Sequence, residues 1–147
     1  MMIDAVSYRR LEPDDYQAII SVWREAGLPF RQKGRESLES YLTQLKDEHI
    51  NIVGAFAGEK MVGVVVGSHD GRKGWVNRLA VVPRMQNQGI AGKLVAIVEE
   101  FFQNQGIKMY AALINEDNEA SINLFQKLGY EPKSEIKYFR KFFDHEF

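Results

Sequence analysis

A strand-like run, a glycine turn and a helix-like run follow one another in the chain, and this order constrains the fold most. The strand-like run covers Trp75 to Val82, and the helix-like run covers Ala91 to Gln103. Between them stands Gly89, whose missing Cβ lets the backbone adopt a positive φ or come close to a ligand. A helix that begins after such a turn presents unpaired N–H groups and the positive end of its dipole. The segment therefore predicts a binding site for a phosphate or pyrophosphate.

Strands and helices alternate along the rest of the chain. Apolar periodicity, together with glycine and proline positions, predicts each element. The predicted elements are a strand over Ala5–Leu11, a helix from Pro13 to Gly27, a helix over Glu36–Lys46, a hairpin of Ile50–Ala57 and Lys60–Ser68, a strand over Lys108–Ile114, a helix over Asn118–Leu128 and a β-rich tail over Tyr138–Phe143. This order predicts an α/β protein with a mixed sheet and helices on it.

Composition excludes several classes of function. The chain has 147 residues, enough for one domain with an ordinary core. Its formal net charge of -1 gives no reason to expect a nucleic-acid or membrane partner. There is no cysteine, and His49, His69 and His145 lack the spacing of metal ligands, so we expect no metal. No apolar run has the length of a signal peptide or membrane span, so we expect a cytoplasmic protein.

A second motif lies about thirty residues after the glycine turn and runs from Asn118 to Tyr130. Four of its residues recur at helical spacing and should share one buried face: Ser121, Leu124, Phe125 and Leu128. Asn118 lies one turn before Ser121 and could look into the same space. It could instead be only the helix N-cap, a role for which Asp117 competes.

Together the two segments resemble the GCN5-related N-acetyltransferase (GNAT) superfamily, over nearly the whole chain. The coenzyme loop of that family reads Gln/Arg-x-x-Gly-x-Gly/Ala, and its second motif reads Asn-x-x-Ala-x-x-x-Tyr-x-x-x-Gly-Phe. The first pattern is matched by Gln86, Gly89 and Ala91, within the stretch from Leu79-Ala80-Val81-x-Pro83 to Leu94. The second is matched at Asn118, Gly129 and Tyr130.

The resemblance implies a single GNAT-like domain over residues 1–147, with a mostly antiparallel central sheet flanked by helices. Two parallel strands would splay apart to form a coenzyme cleft. Acetyl-CoA would be the co-substrate, without a metal, and a primary amine of a small molecule or peptide would attack it directly in a ternary complex. The implied coenzyme-binding residues are Leu79, Ala80, Val81, Gln86, Asn87, Gln88, Gly89, Ile90, Ala91, Asn118 and Phe125. The backbone N–H near Val81 would stabilise the thioester oxygen.

Three departures from the family leave the catalytic acid and base unassigned. Phe125 stands at the position of a frequent catalytic tyrosine, and Ser121 stands at the position of the alanine in the same motif. Leu113 stands where one branch of the family has a glutamate. The remaining catalytic candidates are Ser121, Tyr138, Glu25, His69 and Asp70, each of which could equally be a surface or structural residue.

The acceptor is also open at this stage. Arg31, Lys33 and Arg35 lie between the first two predicted helices and could recognise a carboxylate or phosphate, or could belong to an ordinary solvated loop. A non-catalytic coenzyme-A-binding sensor or assembly module is the alternative to an enzyme, and a homodimer is possible. A P-loop nucleotide site is disfavoured because its first glycine would fall on Asn87 and Leu94 replaces the Ser/Thr.

Overall fold

A five-stranded sheet forms the centre of the computed structural model, which describes residues 5–147. The strands are β1 (Val6–Arg10), β2 (Ile50–Ala57), β3 (Lys60–His69), β4 (Gly74–Val81) and β5 (Tyr110–Ala111), in that spatial order. The pairs from β1 to β4 are antiparallel, whereas β4 and β5 are parallel. The predicted mixed, mostly antiparallel sheet is therefore confirmed.

Four α-helices occur in this part of the chain, and local sequence explains where they begin and end. They are α1 (Tyr16–Ala26), α2 (Leu38–Leu45), α3 (Ile90–Asn104) and α4 (Glu119–Lys127). Short 3-10 turns at Pro13–Asp15 and Pro83–Met85 precede α1 and the α3 loop. Helix α1 ends at Gly27, which adopts a left-handed φ of 74°. Helix α2 begins after Ser37, whose hydroxyl accepts a hydrogen bond from the Ser40 amide at 3.1 Å.

Helix α3 packs closely on the sheet because glycines face it there. A Cβ on Gly67 of β3 would lie 2.5 Å from Val98, and a Cβ on Gly74 of β4 would lie 2.7 Å from the Phe102 ring. Val98 and Phe102 are fully buried. These close contacts fix the position of the α3 axis over β3 and β4. They therefore also fix the position of the α3 N-terminus.

Most predicted elements, α2 included, are confirmed within one or two residues, but two other predictions are wrong in part. Helix α2 begins at Leu38 rather than Glu36, because Ser37 caps it. The strand predicted over Lys108–Ile114 is limited to the two residues of β5. On α4, Phe125 is buried as predicted, but Leu128 is 37% exposed and lies at the edge of the predicted buried face.

The β-rich tail predicted over Tyr138–Phe143 is also wrong. Residues 131–147 form neither helix nor strand, and Tyr138, Phe139 and Phe143 are largely exposed. A strand needs a neighbour for its backbone hydrogen bonds, and β5 is too short to offer one along this segment. Charged and aromatic side chains in the tail are therefore not enough to make it a strand without a neighbouring strand to pair with. Within residues 5–147, no helix combines the length and apolar character needed to cross a membrane.

Candidate active site

An open sheet edge lies beside the second half of β4. Pairing with β5 ends at Trp75 and Ala111, so no further strand among residues 5–147 pairs with β4 on that side. The Val82 amide donates to the Val62 carbonyl on β3 at 2.9 Å. Successive amides of an extended strand point to opposite edges, so the Val81 N–H points toward the open edge. Val81 can therefore donate a hydrogen bond to a ligand lying along β4.

The loop between β4 and α3 is held in a fixed shape. The Gln86 side-chain amide donates to the Val81 carbonyl at 3.0 Å, which ties the loop back to the strand. Asn87 and Gly89 both have positive φ, at 63° and 81°. A Cβ on Gly89 would meet no atom within 4 Å, so the left-handed backbone itself, not space, is what favours glycine there.

The N-terminus of α3 offers an anion site. Gly89 occupies the N-cap position, no side chain caps the helix, and its first turn contains no acidic residue. The first intrahelical bond among these residues runs from the Lys93 amide to the Gly89 carbonyl at 3.1 Å. The amides of Ile90, Ala91 and Gly92 therefore have no acceptor in the helix, and they lie at its positive end. The geometry fits a phosphate or pyrophosphate.

Helix α4 begins with a capping residue and packs through an aromatic one. The Asn118 side-chain oxygen accepts from the Ser121 amide at 3.2 Å, so Asn118 rather than Asp117 is the N-cap. This bond leaves the Asn118 NH2 group free to donate elsewhere. Phe125 is buried and meets Tyr130 edge-on with ring centroids 5.0 Å apart. Tyr130 in turn donates to Glu99 at 2.7 Å, and burial raises the pKa of its hydroxyl.

A cavity of about 530 Å³ opens between α1, α2 and the strands β2 to β4. Apolar side chains such as Ile19, Ile52 and Val66 form much of its wall. Its polar lining consists of Tyr16, Trp23, Arg35, Glu36, Tyr41, Gln44, Ser68, Asn77, Arg78 and Tyr138. Of the three predicted acceptor-binding residues, Arg35 lines this cavity, whereas Arg31 and Lys33 are exposed outside it.

A charged cluster lies in this cavity. The Glu36 carboxylate lies between two guanidinium groups, with Oε1 3.5 Å from Arg78 Nη2 and Oε2 3.7 Å from Arg35 Nε. The Arg78 guanidinium lies over the Trp23 ring, 4.4 Å from its centroid. Burial lowers the pKa of Arg78, but the guanidinium stays charged at neutral pH.

A bulge in β4 places Arg78 in the cavity. Val64 of β3 faces Ala80 while Val66 faces Asn77, so β4 carries one residue more than β3 in this stretch. Arg78 has a φ of 54°, a strained conformation for a residue other than glycine. Successive side chains of a strand normally point to opposite faces, yet the neighbours Asn77 and Arg78 both line the cavity.

The predicted catalytic candidates lie in different places. Tyr138 lines the cavity, Glu25 is exposed on α1, and Ser121 lies in the first turn of α4. His69 uses both ring nitrogens, accepting from the Gly71 amide and lying 3.0 Å from the Gln105 side-chain oxygen. Asp70 accepts from the Arg72 and Lys73 amides at 2.8 Å and shapes the β3–β4 turn.

Three cavity residues, Glu36, Asn77 and Arg78, are not among those predicted from the sequence. Glu36 was expected in the first turn of a helix, but it lies in the loop before α2. One signal was available, since Asn77 and Arg78 are adjacent polar residues within an otherwise apolar strand. A pair of this kind breaks the period-two pattern and is typical of a bulge.

Comparison with known proteins identifies the family. Residues 15–130 match the acetyltransferase (GNAT) family. An acetyltransferase from Photorhabdus laumondii is 31% identical over 126 residues, which cover 85% of this chain and 86% of the relative. One from Pectobacterium atrosepticum is 30% identical over 123 residues, covering 84% of this chain and 86% of the relative.

Solved structures share the fold at lower identity. AAC(6')-Iy, in complex with the bisubstrate analogue CoA-S-monomethyl-acetylneamine, has a TM-score of 0.81 at 18% identity, covering 93% of this chain and 98% of its own. The PaiA N-acetyltransferase from Thermoplasma acidophilum, in complex with coenzyme A, has a TM-score of 0.78 at 20% identity, covering 88% and 91%. Because the family model matches most of the chain and two relatives are at least 30% identical over more than four-fifths of it, the chain belongs to the acetyltransferase (GNAT) family.

Proposed function

We propose that the protein transfers the acetyl group of acetyl-CoA to a primary amine of a small molecule. One observation carries the proposal: the acid-free N-terminus of α3, preceded by the left-handed Gly89, adjoins the open edge of β4. The first feature suits a pyrophosphate, and the second suits an amide-containing chain that adds to the sheet like a strand. Coenzyme A contains both groups, joined together.

The described residues fit the coenzyme part by part. Amides from Gln86 to Ala91 would surround the pyrophosphate, and the backbone of Leu79, Ala80 and Val81 would pair with the pantetheine amides. Asn118 would use its free NH2 group further along the arm, while Phe125 would support the ligand from the core. When bound, acetyl-CoA supplies the activated acyl group as a thioester.

The acceptor would enter from the cavity beside β4. The amine nitrogen forms a bond to the acyl carbon, the carbon–sulfur bond breaks, and the sulfur leaves as a thiolate with a pKa of about 8.5. The Val81 N–H would stabilise the charge that develops on the thioester oxygen. The proton that the amine loses goes to solvent or to a base near the cavity.

The pKa of the acceptor amine decides whether the reaction needs a catalytic base to deprotonate it. An α-amine with a pKa near 8 is neutral to roughly a tenth at pH 7, whereas a lysine-like amine with a pKa near 10.4 is neutral only to roughly 0.04%. Leu113 and Phe125, at positions where relatives in the family carry ionisable groups, can neither accept nor donate a proton. A weakly basic amine that is merely held in place is therefore the acceptor best suited to this site.

A coenzyme-A-binding sensor without catalysis is the second candidate, favoured by Phe125 at the tyrosine position. It predicts that acetyl-CoA binds but that no amine in a broad panel, peptides with free N-termini included, releases free thiol.

Thermal melting with acetyl-CoA, coenzyme A, ATP and NAD in parallel tests the proposed coenzyme site. A ligand at 100 times its Kd stabilises by about 2.7 kcal/mol, or several degrees for a domain of this size. We expect a shift with acetyl-CoA and coenzyme A. A shift with ATP or NAD alone, or none at all, would rule out the assignment, and thiol release in the amine panel separates enzyme from sensor.

Three further expectations remain proposals: that residues 1–147 act as one domain, that the protein is cytoplasmic, and that it forms a homodimer. Exposed apolar side chains support the last, since Met109, Leu113, Ile136 and Phe139 surround a second cavity of about 1010 Å³ beside β5. Light scattering at increasing protein concentration tests it, and a monomer throughout would contradict it.

A further inference from the structure

We propose that the acceptor amine carries a carboxylate group, as an amino acid does, and that Arg78 and Trp23 bind this carboxylate in the cavity. The inference rests on the proposed function, because it names the chemical class of the acceptor for the same site. It depends on the charge of the cavity, on the unpaired donors in its wall and on the distance from Arg78 to Val81.

The cavity is net positive. Its charged side chains are Arg35, Arg78 and Glu36, and two positive charges with one negative leave a net charge of +1. The Glu36 side chain is 8% exposed and the Arg78 side chain 27% exposed. An acceptor with several positive charges, such as an aminoglycoside or a polyamine, would meet like charge here. An acceptor with a negative group would be attracted.

The wall presents more buried donors than acceptors. Three donors, Arg78 Nε, Arg78 Nη2 and Trp23 Nε1, are buried without a hydrogen-bond acceptor among residues 5–147, against one acceptor, Glu36 Oε2, that is buried without a donor. Glu36 lies 3.5 Å from Arg78 Nη2 but does not form a hydrogen bond with it. Buried unpaired donors are unfavourable, and a ligand that pairs them recovers that cost. The flat guanidinium edge matches the two oxygens of a carboxylate.

The surrounding structure holds these donors in place. The Trp23 ring covers one face of the guanidinium, so Arg78 has little freedom to turn away. The bulge keeps Arg78 at a φ of 54° and directs its side chain into the cavity beside Asn77. Strain of this kind persists only where the surroundings impose it, and it is common at ligand-binding sites.

The distance along β4 limits the size of the acceptor. Arg78 precedes Val81 by three residues, a span of at most about 10 Å in an extended chain. If the reacting amine lies at the Val81 N–H, a carboxylate held by Arg78 belongs to the same small molecule. Free amino acids meet this requirement, whereas the N-terminus of a long peptide does not carry its carboxylate so near.

Matched acceptors and matched variants test the inference. The acceptors are the L-amino acids and their carboxamides, which differ in the negative charge, together with spermidine as a polycation. The variants are R78Q, which removes the guanidinium, W23F, which removes one donor but keeps a stacking ring, and R72Q. Arg72 lies in the exposed β3–β4 turn outside the cavity, so R72Q controls for the loss of one positive charge.

We expect kcat/KM at least about 10-fold higher for the best amino acid than for its carboxamide, because hydrogen bonds to a charged group are worth about 10- to 100-fold. In R78Q this ratio should fall to near one while the Kd for acetyl-CoA stays unchanged. In W23F the ratio should be smaller than in the wild type but above one, and in R72Q it should equal the wild-type ratio. A preference for carboxamides or spermidine, or an unchanged ratio in R78Q, would overturn the inference.

Equilibrium binding separates this inference from the proposed function. Calorimetry of the same acceptor pairs on the coenzyme-A-bound protein reads the carboxylate site without turnover. Carboxylate-dependent binding that is lost in R78Q, in a protein that never releases thiol, would support the site and refute the enzyme. Efficient acetylation of amines, whether or not they carry a carboxylate, would support the enzyme and refute the carboxylate site.

Discussion

Gly89→Asp places a carboxylate in the loop where we assign the coenzyme pyrophosphate, and Gly89→Asn is its uncharged match. Both side chains tolerate the left-handed φ of 81° and both favour the helix N-cap position. Neither should clash, because a Cβ at this position meets no atom within 4 Å. The free proteins should therefore have similar melting temperatures, and any difference in coenzyme affinity reflects the charge.

The expected loss of affinity follows from Coulomb's law. With the pyrophosphate at the Ile90 and Ala91 amides, the new carboxylate would lie on the order of 6 Å from two negative charges. Each repulsion is worth about 0.7 kcal/mol at the dielectric constant of water, so the pair raises the Kd by roughly tenfold, and by more in a less polar site. Added salt should reduce the effect.

Isothermal calorimetry with acetyl-CoA measures both Kd values. We expect Gly89→Asp to bind at least about tenfold more weakly than Gly89→Asn at low salt. Equal affinity in the two variants, within about twofold, would refute the assignment of the pyrophosphate to this loop.

Three further predictions concern the fold and the catalytic position. The pKa of Asp15 is lowered, mainly by the hydrogen bonds from Arg9 at 2.8 and 2.9 Å. The pair therefore stabilises the folded protein at pH values above the pKa that Asp15 has in the unfolded chain. This stabilisation is lost as the pH falls through the lower pKa that Asp15 has in the folded protein. Because Arg9 is half-exposed, Asp15→Asn should cost only about 1 kcal/mol in urea unfolding at pH 7 and almost nothing in strong acid; an equal cost at both pH values would contradict this. Gly74→Ala should lower stability by about 1–3 kcal/mol because its Cβ meets the Phe102 ring. Gly92→Ala should raise stability by about 0.5–1 kcal/mol, because a Cβ in this helical position would make only an ordinary contact with Leu128 at 3.8 Å; thermal melts with the opposite order would be incompatible with the packing of α3. Phe125→Tyr should leave the Kd for acetyl-CoA unchanged and raise kcat for thiol release by supplying a proton donor. A large loss of coenzyme affinity would contradict this and show that the ring touches the coenzyme directly rather than supporting it from the core.

Local signals explain why most of the fold could be predicted from sequence. The hairpin of β2 and β3 turns at Gly58 and Glu59, and β2 has the predicted bounds. Gly27 ends α1, and Gly89 stands immediately before α3, as the turn chemistry indicates. The shape of the loop before α3, where we propose the pyrophosphate, could be predicted for the same reason, because it depends on a few consecutive residues.

Long-range contacts explain what could not be predicted. The tail over Tyr138–Phe143 has a strand-like pattern but no partner, and only the tertiary structure reveals that β5 is two residues long. The cluster of Trp23, Glu36 and Arg78 joins α1, a loop and β4, residues far apart in sequence. No spacing rule connects them, and the bulge that turns Arg78 inward depends on the register with β3.

Mass spectrometry of the products, combined with two-substrate initial rates, tests direct acetyl transfer most directly. Isotopically labelled acetyl-CoA is incubated with the protein and the amino-acid panel, and the label is followed into amine and protein. We predict label on the acceptor amine, none covalently bound to the protein, and rate plots that intersect when both substrates are varied. Label retained on the protein with parallel rate plots, or no labelled amine from any acceptor, would contradict direct transfer in a ternary complex.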